Sequence, residues 1–449
     1  MRGQQDKREL DLLVEEREAV FEQMSDSIWD CPELRFREER ASRLQRDLLE
    51  REGFRVRSPI GTLDTAFVAE YGSGKPVIAL LGEYDALPGL SQTAGLPSRK
   101  PLEEGGNGHG CGHHLLGTAA MEATVALKYW MERNGISGTV RYYGCPAEEG
   151  GCGKVHMIRA GAFRDVDVAL SWHPDCRSFR FSSSRASMSA VFAFHGKSAH
   201  AATNAHLGHS ALDAAELSNV GVNFLREHLL PGASVQYAFA DAGSRETNIV
   251  PDYAAMEYSI RAAKRQDLEE TFHRVEEIAA GAAMMTRTKV AHAEIHAAYS
   301  DILRNDTLLS LLERSESFFA SADFTEADRR EAESFAAAGG TSPLDEEGFP
   351  IDELRASTDF GDVTHLLPGA AFAMTTFARD TALHSWSAVA QGKLGYAHKG
   401  MHRAARILAG AAAELLRDPA LVEAARREFE ERTGGRPYES LLQEQKQAD

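Results

Sequence analysis

The densest chemistry in the chain lies in "NGHGCGHHLLG", Asn107 to Gly117. Three histidines and one cysteine fall within six residues there, set among glycines. Imidazole and thiolate are ligands for zinc-like divalent ions. Other segments carry groups of the same kind. "YGCPAEEGG" places Glu148 beside Glu149, "VALSWHPD" carries His173, "RDTALHSW" carries His384, and "GEYDALP" holds Glu83 and Asp85. Together they suit a site for two ions. Two ions roughly 3.5–4 Å apart share a bridging water and lower its pKa toward neutrality. One carboxylate of the Glu pair can bind an ion while its neighbour serves as general base. Adjacent residues on an extended strand point oppositely, so the glutamates divide these roles only if the chain turns. "EEGG" supplies the turn.

Cys111 has a rival use as a nucleophile. A nucleophile elbow wants Gly-x-Cys-x-Gly, and here His109 and His113 stand where the glycines belong. A neighbouring histidine could still activate a thiolate. A purely structural zinc site is a third reading, and it leaves the Glu pair unused.

These residues must be brought together by the elements around them. "FRVRS", "TAFVAEYG", "KPVIALLG", "TVRYYG", "VDVALSW" and "AAFAMTTFA" read as short apolar strands. "LLGTAAMEATVALKYWMERNG" and "GMHRAARILAGAAAELL" read as long helices. Leu10, Leu13, Val20, Phe21, Met24 and Ile28 form one apolar helical stripe that Pro32 ends. The alternation predicts an α/β fold, a mostly parallel sheet sandwiched by helices. In such sheets ligands bind at the carboxyl ends of the strands, where Glu83, Asp85, Glu148, Glu149, His173 and His384 fall. From about Ser184 the strands alternate in polarity, the mark of a sheet with one wet face. This predicts an inserted α+β domain over 185–297, between two parts of a catalytic domain at 1–184 and 298–449. Residues 321–353 read as a charged surface excursion.

The 449 residues carry 67 acidic and 49 basic side chains, a net charge of −18. That balance argues against nucleic acid and against an anionic membrane surface as partners. An anionic substrate remains compatible, since a few arginines suffice to receive it. No apolar run reaches the ~18 residues of a membrane span. "MRGQQDKRELDLLVEE" lacks the apolar core of a signal peptide. Five cysteines, an odd and small number, point to a reduced compartment, the cytoplasm.

Taken in order, "GKPVIALLGEYDALPGLSQ", "NGHGCGHHLLGTAA", "YGCPAEEGGCGK", "HLGHSALDA", "STDFGDV" and "AHKGM" resemble the M20 peptidase family, in its amidohydrolase branch. The resemblance implies a zinc-peptidase-like catalytic domain with an inserted lid or dimerisation domain. It implies two divalent ions per subunit, zinc or manganese. Cys111, His113, Glu149, His173 and His384 would be their ligands, with Cys111 perched between the two. Glu148 would be the general base, and Asp85 would orient a ligand. Many members have His-x-Asp where this chain has Glu83 and Asp85, so no ligand is carried over to Glu83. His200, in "GKSAHAA", would cross a homodimer to steady the oxyanion in the partner's site. Asn248 and Arg261, in "ETNIVPDYAAMEYSIRA", would hold the substrate carboxylate, a task that suits arginine's planar fork. The reaction implied is hydrolysis of a small N-acyl amino acid, an aryl-acyl amide such as p-aminobenzoyl-glutamate, by a metal-activated water. The homodimer would form through the lid, with a second, different subunit as a further partner. Two alternatives stay open: a Cys111-dependent thiol hydrolase, and an inactive metal-binding partner subunit. His109 reads as structural. His114, Cys152, Asp359 and Asp362 receive no role.

Overall fold

The structure, a computed structural model, describes residues 2–319, 324–336 and 342–442. The described chain divides into two compact units. The first is built from Met1–Ser183, Ile302–Glu353 and Val363–Tyr438, the second mainly from Ser184–Asp301 and Leu354–Asp362.

In the first unit, strands β1 (Arg55–Arg57), β2 (Phe67–Ser73), β3 (Val77–Glu83), β4 (Gly138–Cys145), β5 (Val168–Asp175) and β6 (Phe179–Ser183) come first in the chain. The second unit contributes β7 (Ala186–His195), β8 (Ser234–Asp241), β9 (Tyr253–Ala262), β10 (Lys289–Val290) and β11 (Glu294–Tyr299). Strands β12 (Ile351–Glu353) and β13 (Gly369–Thr375) then return to the first.

The sheet of the first unit runs β1-β2-β4-β3-β5-β13-β6-β12. Its centre, β4-β3-β5-β13, is parallel throughout. Antiparallel pairings join β1 to β2, β2 to β4 and β6 to β13, so the flanks are mixed. Central parallel strands are covered on both faces and read as unbroken apolar runs. β3 and β13 are buried along their whole length. Neighbouring tyrosines on β4 show the two covers, since successive side chains leave a strand on opposite faces. The Tyr142 hydroxyl bonds Gln45 in helix α3 (Glu39–Arg51), whereas Tyr143 stacks on Phe163 at 4.4 Å.

Helix α4 (His113–Asn134) is the core helix of this unit, buried almost all round from His113 to Met131. It ends on Gly135 at φ 60°, whose N–H returns to the Met131 carbonyl. The N-terminal stripe read as one helix is two, α1 (Arg2–Glu15) and α2 (Glu18–Trp29). No proline or glycine marks the break. The Arg17 guanidinium donates to the Leu13 carbonyl, the acceptor its own N–H would use in a continuous helix, and that N–H turns to Val14.

A buried ion cluster ties α2 and α4 to helix Gly395–Arg417. His402 donates to Glu122 at 2.9 Å and faces Glu22 at 3.6 Å. Burial opposes the imidazolium, but the Glu122 and Glu22 carboxylates outweigh it and lift His402 from 6.5 to about 9. A group raised on folding stabilises fully below its unfolded pKa and loses that contribution as pH climbs through the folded one. The melting-temperature gap between wild type and His402→Gln is therefore expected to be widest near pH 6 and to close between pH 7 and 10. A constant gap across that range would show that the charge contributes nothing.

The stretch read as a surface excursion is more ordered than that. Residues 320–323 and 337–341 lie outside the described residues. Between and after them, Glu326–Glu333 is a helix with a Thr325/Asp328 capping box, and β12 extends the sheet edge. Phe324, Ala332, Leu344 and Phe349 are buried. Its charges mask these anchors because they are spaced irregularly.

In the second unit, β10-β7-β9-β8 form an antiparallel sheet, with β11 also on β7. β7 alternates buried and partly exposed residues, as a one-sided sheet must. Helices Ala211–Leu225 and Arg265–Thr286 supply its apolar cover. The sequence reading assigns 298–449 to the catalytic domain. Instead, the chain stays with the second unit to Asp301 and returns to it over 354–362. Asp362 explains the return: its two oxygens accept from Ser300 N and Oγ at 3.0 and 2.8 Å.

Candidate metal centre and active site

The carboxyl ends of β3, β4 and β5 lie side by side, with Glu83 in register with Cys145. His173 sits near the end of β5, opposite Ala373 of β13. The histidine–cysteine loop runs into the N-terminus of α4, so His113 is the first residue of that helix. Gly112 makes the entry possible. It stands at φ 77°, and a Cβ there would meet Pro174 at 2.9 Å and Phe377 at 3.0 Å. His384 sits at φ 58°, and its N–H donates to the Gly110 carbonyl at 2.8 Å, which fastens its loop to the same segment.

Two sets of ligand atoms result. Cys111, His113 and His173 form one, and Cys111, Glu149 and His384 the other, with the atoms of each set all within 4.8 Å of one another. Cys111 belongs to both. Cys111 Sγ lies 3.5 Å from His173 Nε2, and His384 Nε2 lies 3.1 Å from Glu149 Oε1. The other ring nitrogens are occupied: His113 Nδ1 pairs with Asp85 Oδ1 at 2.7 Å, and His173 Nδ1 with the Pro174 carbonyl at 2.7 Å. Such outer bonds fix the tautomer and aim Nε2 at an ion. Asp85 acts twice, because its Oδ2 also accepts from Glu149 N at 2.8 Å. Glu148 groups with His113 and Glu83.

Divalent cations fit this donor set. Thiolate, imidazole and carboxylate are typical for zinc-like ions. His113 Nε2 and Glu149 Oε1 are buried without a hydrogen-bond partner, which native proteins seldom leave so. Electrostatics agree. Burial opposes ionisation of Glu149, yet His384 and His113 hold its carboxyl at about 2. Burial, then the Glu149 charge, pushes the Cys111 thiol well above its ordinary value. A nucleophilic cysteine needs the opposite shift, so the thiol-hydrolase alternative loses ground to a ligand role.

The unassigned residues are placed as follows. His109 is buried, with Nε2 on the Ile28 carbonyl at 3.1 Å and its ring 5.1 Å from that of His114. His114 pairs with the Gly392 carbonyl at 3.0 Å. Cys152 is buried at φ 54° and opens helix Gly153–Arg159. Asp359 is buried in the second unit.

Sequence reasoning passed over Glu83 and Lys154. Lys154 is wholly buried, and its Nζ lies 2.5 Å from Glu83 Oε1. Glu83 Oε2 lies 3.3 Å from His113 Nε2. The available signal was a lone lysine in "EEGGCGK", hard to solvate among glycines behind two glutamates.

His200, Asn248 and Arg261 all lie in the second unit. His200 and Asn248 are neighbours: Ala201 N donates to the Asn248 carbonyl at 2.9 Å, and His200 pairs with Ile249. His200 Nδ1 accepts from Ala202 N and Thr203 N at 3.2 and 3.3 Å, which leaves Nε2 to face outward as a donor. Arg261 is not with them. It stands near the far end of β9, opposite Ser187 and Ser234, eight residues and roughly 26 Å beyond Tyr253. One chain's Asn248 and Arg261 therefore do not meet on one carboxylate, a correction to their joint role. Periodicity fixes that both residues border a strand but not which end.

Fold and site together define a metallohydrolase with donors for two ions at the carboxyl edge of a parallel sheet. Comparison with known proteins agrees. Residues 79–444 match the profile of peptidase family M20/M25/M40, and the chain belongs to that family. One subunit of the p-aminobenzoyl-glutamate hydrolase of Escherichia coli strain K12 is 41% identical over 463 aligned residues, which cover 96% of each chain. Xaa-Arg dipeptidase of Mus musculus is 29% identical, covering 90% of this chain and 88% of its own. Among solved structures, a dinuclear metal-binding peptidase of the M20 family from Bacillus subtilis shares the fold. Its TM-score is 0.63 at 17% identity, over 90% of this chain and 99% of that one. The chain is a hydrolase of amide or peptide bonds. No described helix is long and apolar enough to cross a membrane.

Proposed function

We propose that this protein hydrolyses the amide bond of N-acyl amino acids, with p-aminobenzoyl-glutamate as the first substrate to try. The observation that carries the reading is the pair of ligand sets sharing Cys111, with Glu148 beside them. The relative of 41% identity supports the aryl-acyl glutamate.

Cys111, His113, Glu149, His173 and His384 would hold two divalent ions, zinc or manganese. When bound, such ions polarise a carbonyl and acidify water. The Glu148 carboxylate takes a proton from the attacking water and passes it to the leaving amine nitrogen. Asp85 keeps His113 and the Glu149 backbone in place. His200 and Asn248 serve the site of a partner subunit, His200 Nε2 donating to the oxyanion. Arg261, at the other end of its strand, binds the substrate carboxylate in a different site from its own chain's Asn248. The second unit is thus a lid and dimerisation domain. Exposed Phe224, Met284 and Met285 on its helices support a homodimer there. A heteromeric assembly is the second reading, favoured by the relative's being one subunit of a hydrolase. All five cysteines are free, which supports the cytoplasm.

The test is metal content by mass spectrometry, with p-aminobenzoyl-glutamate hydrolysis assayed before chelation, after it, and after metal return. About two ions per chain, with activity lost and then regained, is the expected result. Metal-free protein that stays active until its thiols are alkylated would overturn the reading in favour of Cys111 as nucleophile. Two ions without hydrolysis across a broad N-acyl panel would leave the inactive-subunit alternative standing.

A further inference from the structure

The turn that carries Glu148 and Glu149 is not held by its own sequence. Ala147 stands at φ 57° and Cys152 at φ 54°, values that side-chain-bearing residues adopt only when their surroundings impose them. Three bonds from other elements pin the turn. Asp85 takes Glu149 N, the Arg35 guanidinium donates to the Glu149 carbonyl at 3.0 Å, and Glu38 takes Ala147 N at 2.9 Å.

Glu38 has no exposed surface. The oxygen that holds Ala147 also accepts from Phe36 N at 2.9 Å, and Phe36 is itself at φ 64°. Its second oxygen accepts from Thr65 Oγ1 at 3.0 Å. One carboxylate oxygen thus joins two left-handed turns, one in the Glu33–Glu38 segment and one immediately before the Glu pair. The contact is close-fitting: a Cβ on Gly151 would lie 2.8 Å from the Phe36 ring, and one on Gly150 2.5 Å from Arg35 Nη1. A buried carboxylate is costly unless its oxygens are matched by donors, and here three are supplied.

We propose that Glu38 is a positioning residue of the active site, clamping Ala147 so that Glu148 faces the reacting water while Glu149 faces the ions. This rests on the reading of Glu148 as general base. The clamp depends on reach more than on charge. Glutamine keeps an acceptor oxygen at the same distance from both amides, whereas aspartate keeps the charge but withdraws the oxygen by one methylene.

The test compares Glu38→Gln with Glu38→Asp in the full-length, metal-loaded protein. Three quantities are read: kcat and KM for p-aminobenzoyl-glutamate, metal content, and amide hydrogen exchange over 145–152. The aspartate variant is expected to lose at least tenfold in kcat, with KM within threefold and two ions retained. Its 145–152 amides are expected to exchange about tenfold faster. The glutamine variant is expected to stay within threefold on every measure. Equal kcat in the two variants, or a glutamine variant slower than the aspartate one, would overturn the proposal. So would unchanged exchange in Glu38→Asp, or a fall in kcat that merely follows metal loss. Full activity in Glu148→Gln would instead strike the general-base reading, while hydrogen exchange still reports the clamp.

Discussion

Glu148→Gln is expected to lower kcat by about 10³-fold while the protein keeps both ions and its fold. Glutamine has nearly the shape of glutamate but neither accepts the water's proton nor carries it to the amine. The proposed ligands, Cys111, His113, Glu149, His173 and His384, are untouched, so metal content by mass spectrometry should match wild type. KM should move little, because the substrate carboxylate is held elsewhere. A variant within tenfold of wild-type kcat would remove Glu148 from the mechanism. The same variant probes the partner's contribution. Mixed with His200→Ala protein under conditions where subunits exchange, it should regain part of the activity, since one site of each mixed dimer pairs an intact Glu148 with an intact His200. Confirmed exchange with no recovery would mean that His200 acts within its own chain or not at all.

The second large effect concerns stability. Lys154→Met is expected to destabilise the first unit by about 3–5 kcal/mol. Lys154 Nζ is buried against Glu83 Oε1, and without it the Glu83 carboxylate stays buried with its main counter-charge gone. Burial by itself raises the Glu83 pKa, and it is Lys154 first, then His113, that brings it down. The double variant Glu83→Gln/Lys154→Met removes both charges and should recover most of the loss, since breaking a buried pair costs more than deleting it. Chemical unfolding of the two singles and the double, with chelator present throughout, closes the cycle. Additive losses would show that the pair is not coupled.

Much of this architecture could be read from the chain. Apolar runs such as "VIALLGE" and "AAFAMTT" mark central strands because parallel strands are covered on both faces. The polar residues after them mark the working edge for the same reason: a buried run that ends in a carboxylate or imidazole has reached solvent or a site. What local pattern does not encode is pairing over long separations. Glu38 meets Ala147, and Glu83 meets Lys154, through contacts 109 and 71 residues apart. The break at Arg17 depends on where one guanidinium turns. The return of 354–362 depends on Ser300, sixty-two positions before Asp362. The distance between Asn248 and Arg261 is a question of register, which alternation along a strand leaves free.

Phe36, Ala147, Cys152 and His384 all carry side chains at positive φ, and all four belong to segments that build the catalytic edge. Glycine would relax the backbone at the first three and so favour the folded state locally, yet it would also free the turn that aims the Glu pair. Heat resistance and turnover therefore pull on the same few residues in opposite directions. A lineage selected for endurance alone would drift toward glycine at those positions, and the phenylalanine, alanine and cysteine found there record that rate was part of the selection.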